Sequence, residues 1–305
     1  MVTRETSLSQ ALSQMGIPAS DQAILRLARL ADLLENDAVD LGFLGPNEGQ
    51  RVVSRHLLES AALIPYLLPD GPVVDVGSGA GLPGLVLAAL GREVVLVESQ
   101  ARRAGFLRRA SSEIDVDVDV RHGRAEDEGR GDLRDDAYSV VARALAAPAV
   151  ALELCLPFVR PGGRLLLQAT PELGVESSAR SGERRVGDVP ESELCPPLGT
   201  DQDPPAPEGS GDARYRIQAT DEREGGTSRR SDVGHPEPAA SAALDEVAAL
   251  LGGGGIRWQR LSVPGAEGPR WVMMVDKRVP TPDRFPRRPG VPKRRPLGGD
   301  VVSVK

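Results

Sequence analysis

The apolar positions of this chain change period along its length. Ile24, Leu27, Leu30, Leu33 and Leu34 recur at intervals of three and four, the stripe of an amphipathic helix. Ser20 stands just before them as a candidate N-cap. Gly42 to Gly49 interrupts the pattern, and a second helix is predicted from about Gln50 to Leu68, carrying Arg51, Arg55, His56 and Glu59. From Gly71 onward, short apolar runs alternate with helical stretches. Strands are predicted at about 73–77, 94–98, 116–122, 138–142 and 164–168, with helices near 82–90, 101–114 and 147–158. Such alternation with short turns implies right-handed crossovers and a parallel sheet. Asp115 to Arg121 (D-V-D-V-D-V-R) alternates acid and valine, the pattern of a half-exposed edge strand. Pro161-Gly162-Gly163 predicts a turn before the fifth strand.

The pattern stops at Pro171. The 68 residues to Pro238 hold 9 Pro and 9 Gly, with Tyr215 as their one aromatic residue, too little apolar surface to offset chain entropy, and they read as a disordered insertion. Periodicity resumes with a helix from Ala240 to Leu251 and strands at about 256–263 and 271–276. The join Pro264-Gly265-Ala266-Glu267-Gly268 is too short for a parallel crossover, so this last pair is predicted to be an antiparallel hairpin. The organisation predicted is therefore a helical cap (1–70), an α/β core (71–170), the insertion (171–238), the rest of the core (239–279) and a tail (280–305).

Chemistry enters with Val73 to Gly84, V-V-D-V-G-S-G-A-G-L-P-G: a strand ending in an acid, a glycine cluster and a helix start, an arrangement that turns backbone N–H groups toward a ligand. Nineteen residues after Gly79, Val94 to Val97 ends in Glu98, placed to accept hydrogen bonds from ribose hydroxyls. The pair describes a pocket for an adenosine-containing cofactor. Gly79 to Gly84 formally matches the dinucleotide fingerprint G-x-G-x-x-G. The residue leaving the strand is Gly77, however, and counted from there the third glycine position is Leu82. D-V-G-S-G-A-G instead resembles the first motif of S-adenosylmethionine-dependent methyltransferases. Asp75 suits a donor bearing an ammonium and a sulfonium, and would repel a pyrophosphate. Seven strands with an antiparallel final pair is likewise the Rossmann-like class I methyltransferase sheet.

Composition narrows the class. The chain has 305 residues, 40% hydrophobic and 3% aromatic, so its core must be built from Leu, Val and Ala. It has no run of 18 apolar residues and no signal peptide, which points to a cytoplasmic protein with no membrane association. Cys155 and Cys195 make no disulfide framework, and no Cys or His has metal-ligand spacing, so no metal is expected. The net charge of −7 argues against nucleic acid, but its distribution does not. Lys277, Arg278, Arg284, Arg287, Arg288, Lys293, Arg294 and Arg295 share one window with a single acid, Asp283, a local footprint for a polyanion.

The acceptor is constrained by what is missing. Val140-Val141-Ala142-Arg143-Ala144 carries no acid-or-Asn-Pro-Pro-aromatic motif of exocyclic-amine methylation. Asp203-Pro204-Pro205-Ala206 lacks the aromatic and, like Cys195, lies in the insertion. Cys155 reads as helix core, so the nucleophile of pyrimidine C5 methylation is absent too. What remains is an acceptor needing no deprotonation, such as guanine N7 or many small molecules.

Four segments together resemble the small-subunit ribosomal RNA methyltransferase G (GidB) family. They are Gly45-Pro46-Asn47 with Arg55-His56-Leu57-Leu58-Glu59-Ser60; the glycine motif; Gly123-Arg124-Ala125-Glu126 with Ala142-Arg143-Ala144; and Arg284-Phe285-Pro286-Arg287-Arg288-Pro289-Gly290 with Pro296-Leu297. The resemblance implies S-adenosyl-L-methionine as cofactor and N7 methylation of a guanine in the decoding-region loop of 16S rRNA, on RNA or on an assembling small subunit, with no obligate protein partner. It implies donor contacts at Gly77, Leu82, Ala125, Glu126 and Arg143, with Glu98 on the ribose, beside Asp75 and Gly79 of the glycine motif. Arg143, Arg55 and His56 are candidates for positioning the acceptor, the last two also for RNA phosphate. The chain departs from the family at Leu167-Gln168-Ala169, where Leu-Lys-Gly is usual, and in the insertion. A small-molecule methyltransferase and a nicotinamide-dependent oxidoreductase are the alternatives.

Overall fold

The computed structural model describes residues 3–45, 47–169, 238–266 and 268–298, all within one compact unit. Residues 170–237, which include nearly all of the predicted insertion together with Cys195 and Asp203, lie outside the described residues. Pro238, assigned to the insertion by composition, instead opens a helix.

The N-terminal cap begins with α1 (Arg4–Gln14) and α2 (Asp21–Leu33). The Ser20 hydroxyl accepts the N–H of Ala23, as its position before the apolar stripe predicts. Ile24, Leu27, Leu30, Leu33 and Leu34 are all buried. The second predicted helix is not one helix. It is a 3-10 turn (Gly49–Arg51), a π-helical stretch (Val52–Leu57), α3 (Leu58–Ala61) and a further 3-10 turn (Ile64–Tyr66). The proline ring at position 65, in that last turn, cannot donate an i→i−4 bond, so the α-helix ends ahead of it. The π-helical stretch carries Arg55 and His56.

The core is a seven-stranded sheet in the order β3-β2-β1-β4-β5-β7-β6. Its strands are β1 (Val73–Val76), β2 (Val94–Glu98), β3 (Asp119–His122), β4 (Ala137–Arg143), β5 (Val159–Ala169), β6 (Gly253–Leu261) and β7 (Arg270–Lys277). The first five are parallel, and β7 runs antiparallel to both β5 and β6. The acid–valine alternation gave β3 its place at the edge, but the strand pairs only from Asp119, because Asp115 turns the chain at φ +56°. Pro161-Gly162-Gly163 does not precede β5. It forms a bulge within it, between the pairs Ala137–Val159 and Ser139–Arg164.

Helices α4 (Gly84–Ala89) and α5 (Ala101–Glu113) cover one face together with the cap, and their apolar residues merge into one core with Leu8, Leu12, Leu27 and Leu30. α7 (Pro148–Cys155) and α8 (Pro238–Leu250) cover the other, around Phe158, Leu165 and Val275. β1 lies between β2 and β4, so the strand order reverses there, and the carboxyl ends of these strands frame the crevice where this architecture binds ligands. Among the described residues no helix is long and apolar enough to cross a membrane.

Replacing the Ser20 cap tests the contribution of the helical cap. Ser20→Ala is expected to cost about 1 kcal/mol of unfolding free energy in urea denaturation, the usual loss when an N-cap oxygen is removed.

Candidate functional site

The loop leaving β1 keeps following β2: the N–H groups of Gly77 and Ser78 both reach Val97 O, at 2.8 and 3.2 Å. The chain then turns through Gly77, Gly79 and Gly81 at φ +75°, +58° and +90°. Gly77 is favoured by its left-handed backbone, which an L side chain strains. Two carboxylates hold the turn. Glu98, at the end of β2, takes the N–H of Gly79 on Oε2 (2.9 Å) and that of Gln100 on Oε1 (2.7 Å). Each carboxylate oxygen has a second lone pair, so ribose hydroxyls can still be accepted.

Asp75 sits underneath. Its residue is wholly buried, its Oδ2 takes the Gly84 N–H at 2.9 Å, and its backbone oxygen takes the Ser78 hydroxyl. A Cβ on Gly84 would fall 2.6 Å from Asp75 Oδ2, so only glycine lets α4 approach this closely. The carboxylate therefore ties α4 to β1, and the sequence expectation that it faces the charges of a donor directly is not met. Oδ1 is buried with no hydrogen-bond partner among the described residues. Burial pushes the Asp75 pKa up to about 7, against the Gly84 and Ser78 hydrogen bonds. Leu82 also differs from expectation: its N–H is spent on Ser78 O at 3.1 Å and its side chain is core.

At the end of β3, Gly123 N–H bonds to Glu98 O, and α6 (Ala125–Glu128) begins. Ala125 is half-buried. Glu126 is buried, with Oε1 accepting from Gly290 N–H (2.9 Å) and Arg124 (3.2 Å). Burial works to raise its pKa, but the Gly290 N–H, its own N–H and Arg124 outweigh this and hold it below the usual carboxylate range. Gly77, Gly79, Glu98, Ala125 and Glu126 thus converge on the carboxyl ends of β1, β2 and β3.

A second group lies at the ends of β4 and β5. Arg143 Nη2 is 2.5 Å from His56 Nδ1 and 4.0 Å from Glu59 Oε2. Glu59 also receives Arg270, and Gln168 Nε2 donates to Glu59 O at 2.7 Å. His56 does not reach outward to phosphate. It is 4% exposed, and burial together with Arg143 and Arg55 pushes its pKa down to about 3. The ring is neutral, with Nδ1 accepting from Arg143. Its Nε2 lies 2.9 Å from Glu48 Oε2 without the alignment of a hydrogen bond, so both atoms count as unpartnered. Arg55 pairs with Glu48 at 3.0 Å, within the cap. Arg143 Nη1 and Gln168 Oε1, on paired residues of β4 and β5, are buried without partners among the described residues. Beside Gln168 a small open pocket, with a cavity volume of about 30 Å³, lies among Ala144, Leu145, Leu167, Trp258 and Met273.

The basic segment is less available than its composition implies. Lys277 is 2% exposed, and its Nζ is bonded to Leu156 O (2.7 Å) and to Thr281. Arg287 is bound to Glu153, a buried carboxylate on α7. Arg278, Arg284, Arg288, Lys293, Arg294 and Arg295 are exposed. Glu153 escaped the sequence reading, and Glu59 entered it only as a member of the second predicted helix and of a family segment, with no role. Glu153 had a signal, a lone acid within the apolar run Ala149 to Leu156.

A sheet of this order, with a glycine turn after β1 and acids ending β2 and opening α6, is the class I methyltransferase fold, whose cofactor is S-adenosyl-L-methionine. The family model described as rRNA small subunit methyltransferase G (GidB) matches residues 23–177. The chain belongs to that family. It is 44% identical over 140 residues to a Mycobacterium leprae protein named ribosomal RNA small subunit methyltransferase G, covering 45% of this chain and 57% of the relative. The match thus spans little more than half of that relative's length. To the protein of the same name from Salinispora arenicola it is 40% identical over 174 residues, covering 54% and 72%. To that from Alkaliphilus metalliredigens it is 24% identical over 296 residues, covering 95% and 97%. Among solved structures, a T. thermophilus 16S rRNA methyltransferase in complex with AdoMet and guanosine aligns over 73% of this chain and 39% of its own, at 16% identity and a TM-score of 0.38.

The Asp75 pKa carries a testable sign. A carboxyl whose pKa rises from 3.8 unfolded to about 7 folded stabilises the protein below pH 3.8, and that contribution is lost as the pH rises through 7. Asp75→Asn cannot titrate. Urea denaturation at pH 5 and pH 7.5 should therefore show wild type losing more stability across that interval than the variant.

Proposed function

We propose that this chain is a cytoplasmic S-adenosylmethionine-dependent methyltransferase that transfers a methyl group to N7 of a guanine in the decoding-region loop of 16S rRNA. The observation that carries the reading is the convergence of the glycine turn, Glu98 and Glu126 on one end of the sheet, in a member of the GidB family. The residues suit the donor. Glycines keep side chains out of the turn, Glu98 has lone pairs left for two hydroxyls, and Glu126 keeps an ionised carboxylate for the adenine amino group. The donor supplies an activated methyl on a sulfonium. Asp75 acts on it through the turn, by fixing Gly84 and with it the entry into α4.

The acceptor half is assigned to the ends of β4 and β5. Guanine N7 carries an in-plane lone pair that is free at neutral pH, so no general base is needed, and the task left to the protein is alignment. Arg143 has an unused buried donor, Nη1, on a side chain held by His56 and flanked by Glu59. Guanine offers O6 beside N7, the acceptor such a donor fits. Gln168 Oε1 offers an acceptor for the base's own N–H groups, and Trp258 an aromatic wall. Glu59 and Glu48 offset the cations here, which suits a product ring that becomes positive. The exposed arginines and lysines from Arg284 onward supply phosphate contacts.

Three measurements test this. Calorimetry should show S-adenosylhomocysteine binding that Glu98→Ala weakens. Borohydride and aniline cleavage of 16S rRNA should reveal N7-methylguanine that disappears in a strain lacking the protein, and Arg143→Gln should lower the methylation rate by on the order of a hundredfold through misalignment alone. Replacing Arg284, Arg288, Lys293, Arg294 and Arg295 by Gln should reduce the slope of log affinity against log salt by about 3.5 for a single-stranded RNA. An unchanged slope would remove the segment from the RNA contact.

A further inference from the structure

The C-terminal segment is fastened to the face carrying α7 at several points. Arg287 forks onto Glu153, with Nε 2.8 Å from Oε1 and Nη2 2.6 Å from Oε2, and its backbone N–H adds a third bond at 3.0 Å. Glu153 is wholly buried, so the pair is desolvated on the acid's side. Arg130 Nε donates to Pro286 O at 2.8 Å, and Arg134 donates to Phe285 O (2.8 Å) and Thr281 O (2.6 Å). The Phe285 side chain is buried in the core shared with α7. Three residues after Arg287 the chain turns through Gly290 at φ +81° and gives its N–H to Glu126 Oε1.

The carboxylate at the adenine end of the crevice is thus oriented by a backbone donor 164 residues away in sequence. Gly290 and Arg124 both use Oε1, and neither bond requires Oε2. A carboxylate pinned by one oxygen presents the other in a fixed direction, which is what discriminating a 6-amino from a 6-oxo purine demands.

We infer that Arg287 is a positioning residue for adenine recognition: by locking onto Glu153 it sets Gly290, and through Gly290 it aims Glu126. The inference rests on the donor reading above and adds to it a selectivity device outside the crevice. Guanidinium geometry matters here, since an ammonium cannot reproduce the two parallel bonds.

Calorimetry on the full chain with two ligands, S-adenosylhomocysteine and S-inosylhomocysteine, which differ in a 6-amino against a 6-oxo group and the N1–H that accompanies it, tests it. Wild type should prefer the amino compound. Arg287→Gln should weaken S-adenosylhomocysteine by about tenfold, as for one misaligned bond to a charged group, and leave S-inosylhomocysteine nearly unchanged. Arg287→Lys should fall between the two. Equal losses for both ligands, or no loss in a folded variant, would overturn the role. Should removal of the Glu153 partner prevent folding, hydrogen exchange on wild type decides. Peptides covering 284–291 should gain protection with S-adenosylhomocysteine and not with the inosyl compound, and equal protection would refute the coupling. Failure of wild type to bind either ligand would instead bring down the donor reading, and this inference with it.

Discussion

The Asp75 carboxylate on the Gly84 N–H is the bond around which the site is arranged. It joins the last turn of β1 to the first residue of α4 across nine positions, and the glycine turn between them has no freedom to open while it holds. A buried carboxyl with one satisfied oxygen is costly unless its partner is fixed, and here the partner is backbone. The cost falls on the acid, whose pKa rises, and the benefit falls on the loop, which keeps three residues in the left-handed region. Glu98 continues the device on the next strand. It serves the loop with two backbone bonds and still retains acceptor capacity, so one side chain shapes the cradle and can line it.

Much of this architecture was legible from residues. Parallel strands announced themselves as short apolar runs, the hairpin as a join too brief for a crossover, and Ser20 as a cap at the start of a 3.6-residue period. The glycine motif and Glu98 stand at strand ends because the short apolar runs before them form β1 and β2. The cap's second helix was mistaken because π and 3-10 geometry leave the apolar pattern almost unchanged over six residues. The strand-five bulge was mistaken because Pro-Gly-Gly signals a backbone departure without saying whether the ladder resumes on both sides.

Roles were harder to read than positions. Asp75, Leu82 and His56 all stand where motif reasoning placed them, yet each is turned inward: the acid to α4, the leucine to the core and the histidine to Arg143. The basic window misled in the same way. Charge counts treat Lys277 and Arg287 as surface, whereas buried oxygens of Leu156 and Glu153 claim them. Those acceptors come from α7 and the turn after it, 134 and 121 residues earlier, a separation no local pattern reports. Glu59 joins Arg143, Gln168 and Arg270 over comparable spans.

The bond from Gly290 to Glu126 also has a temporal side. Protein synthesis delivers the β1 turn and Glu126 first, and the donor that fixes Glu126 follows 164 residues later. A chain stalled or truncated before Gly290 therefore keeps the residues of the glycine turn and lacks the N–H that holds Glu126.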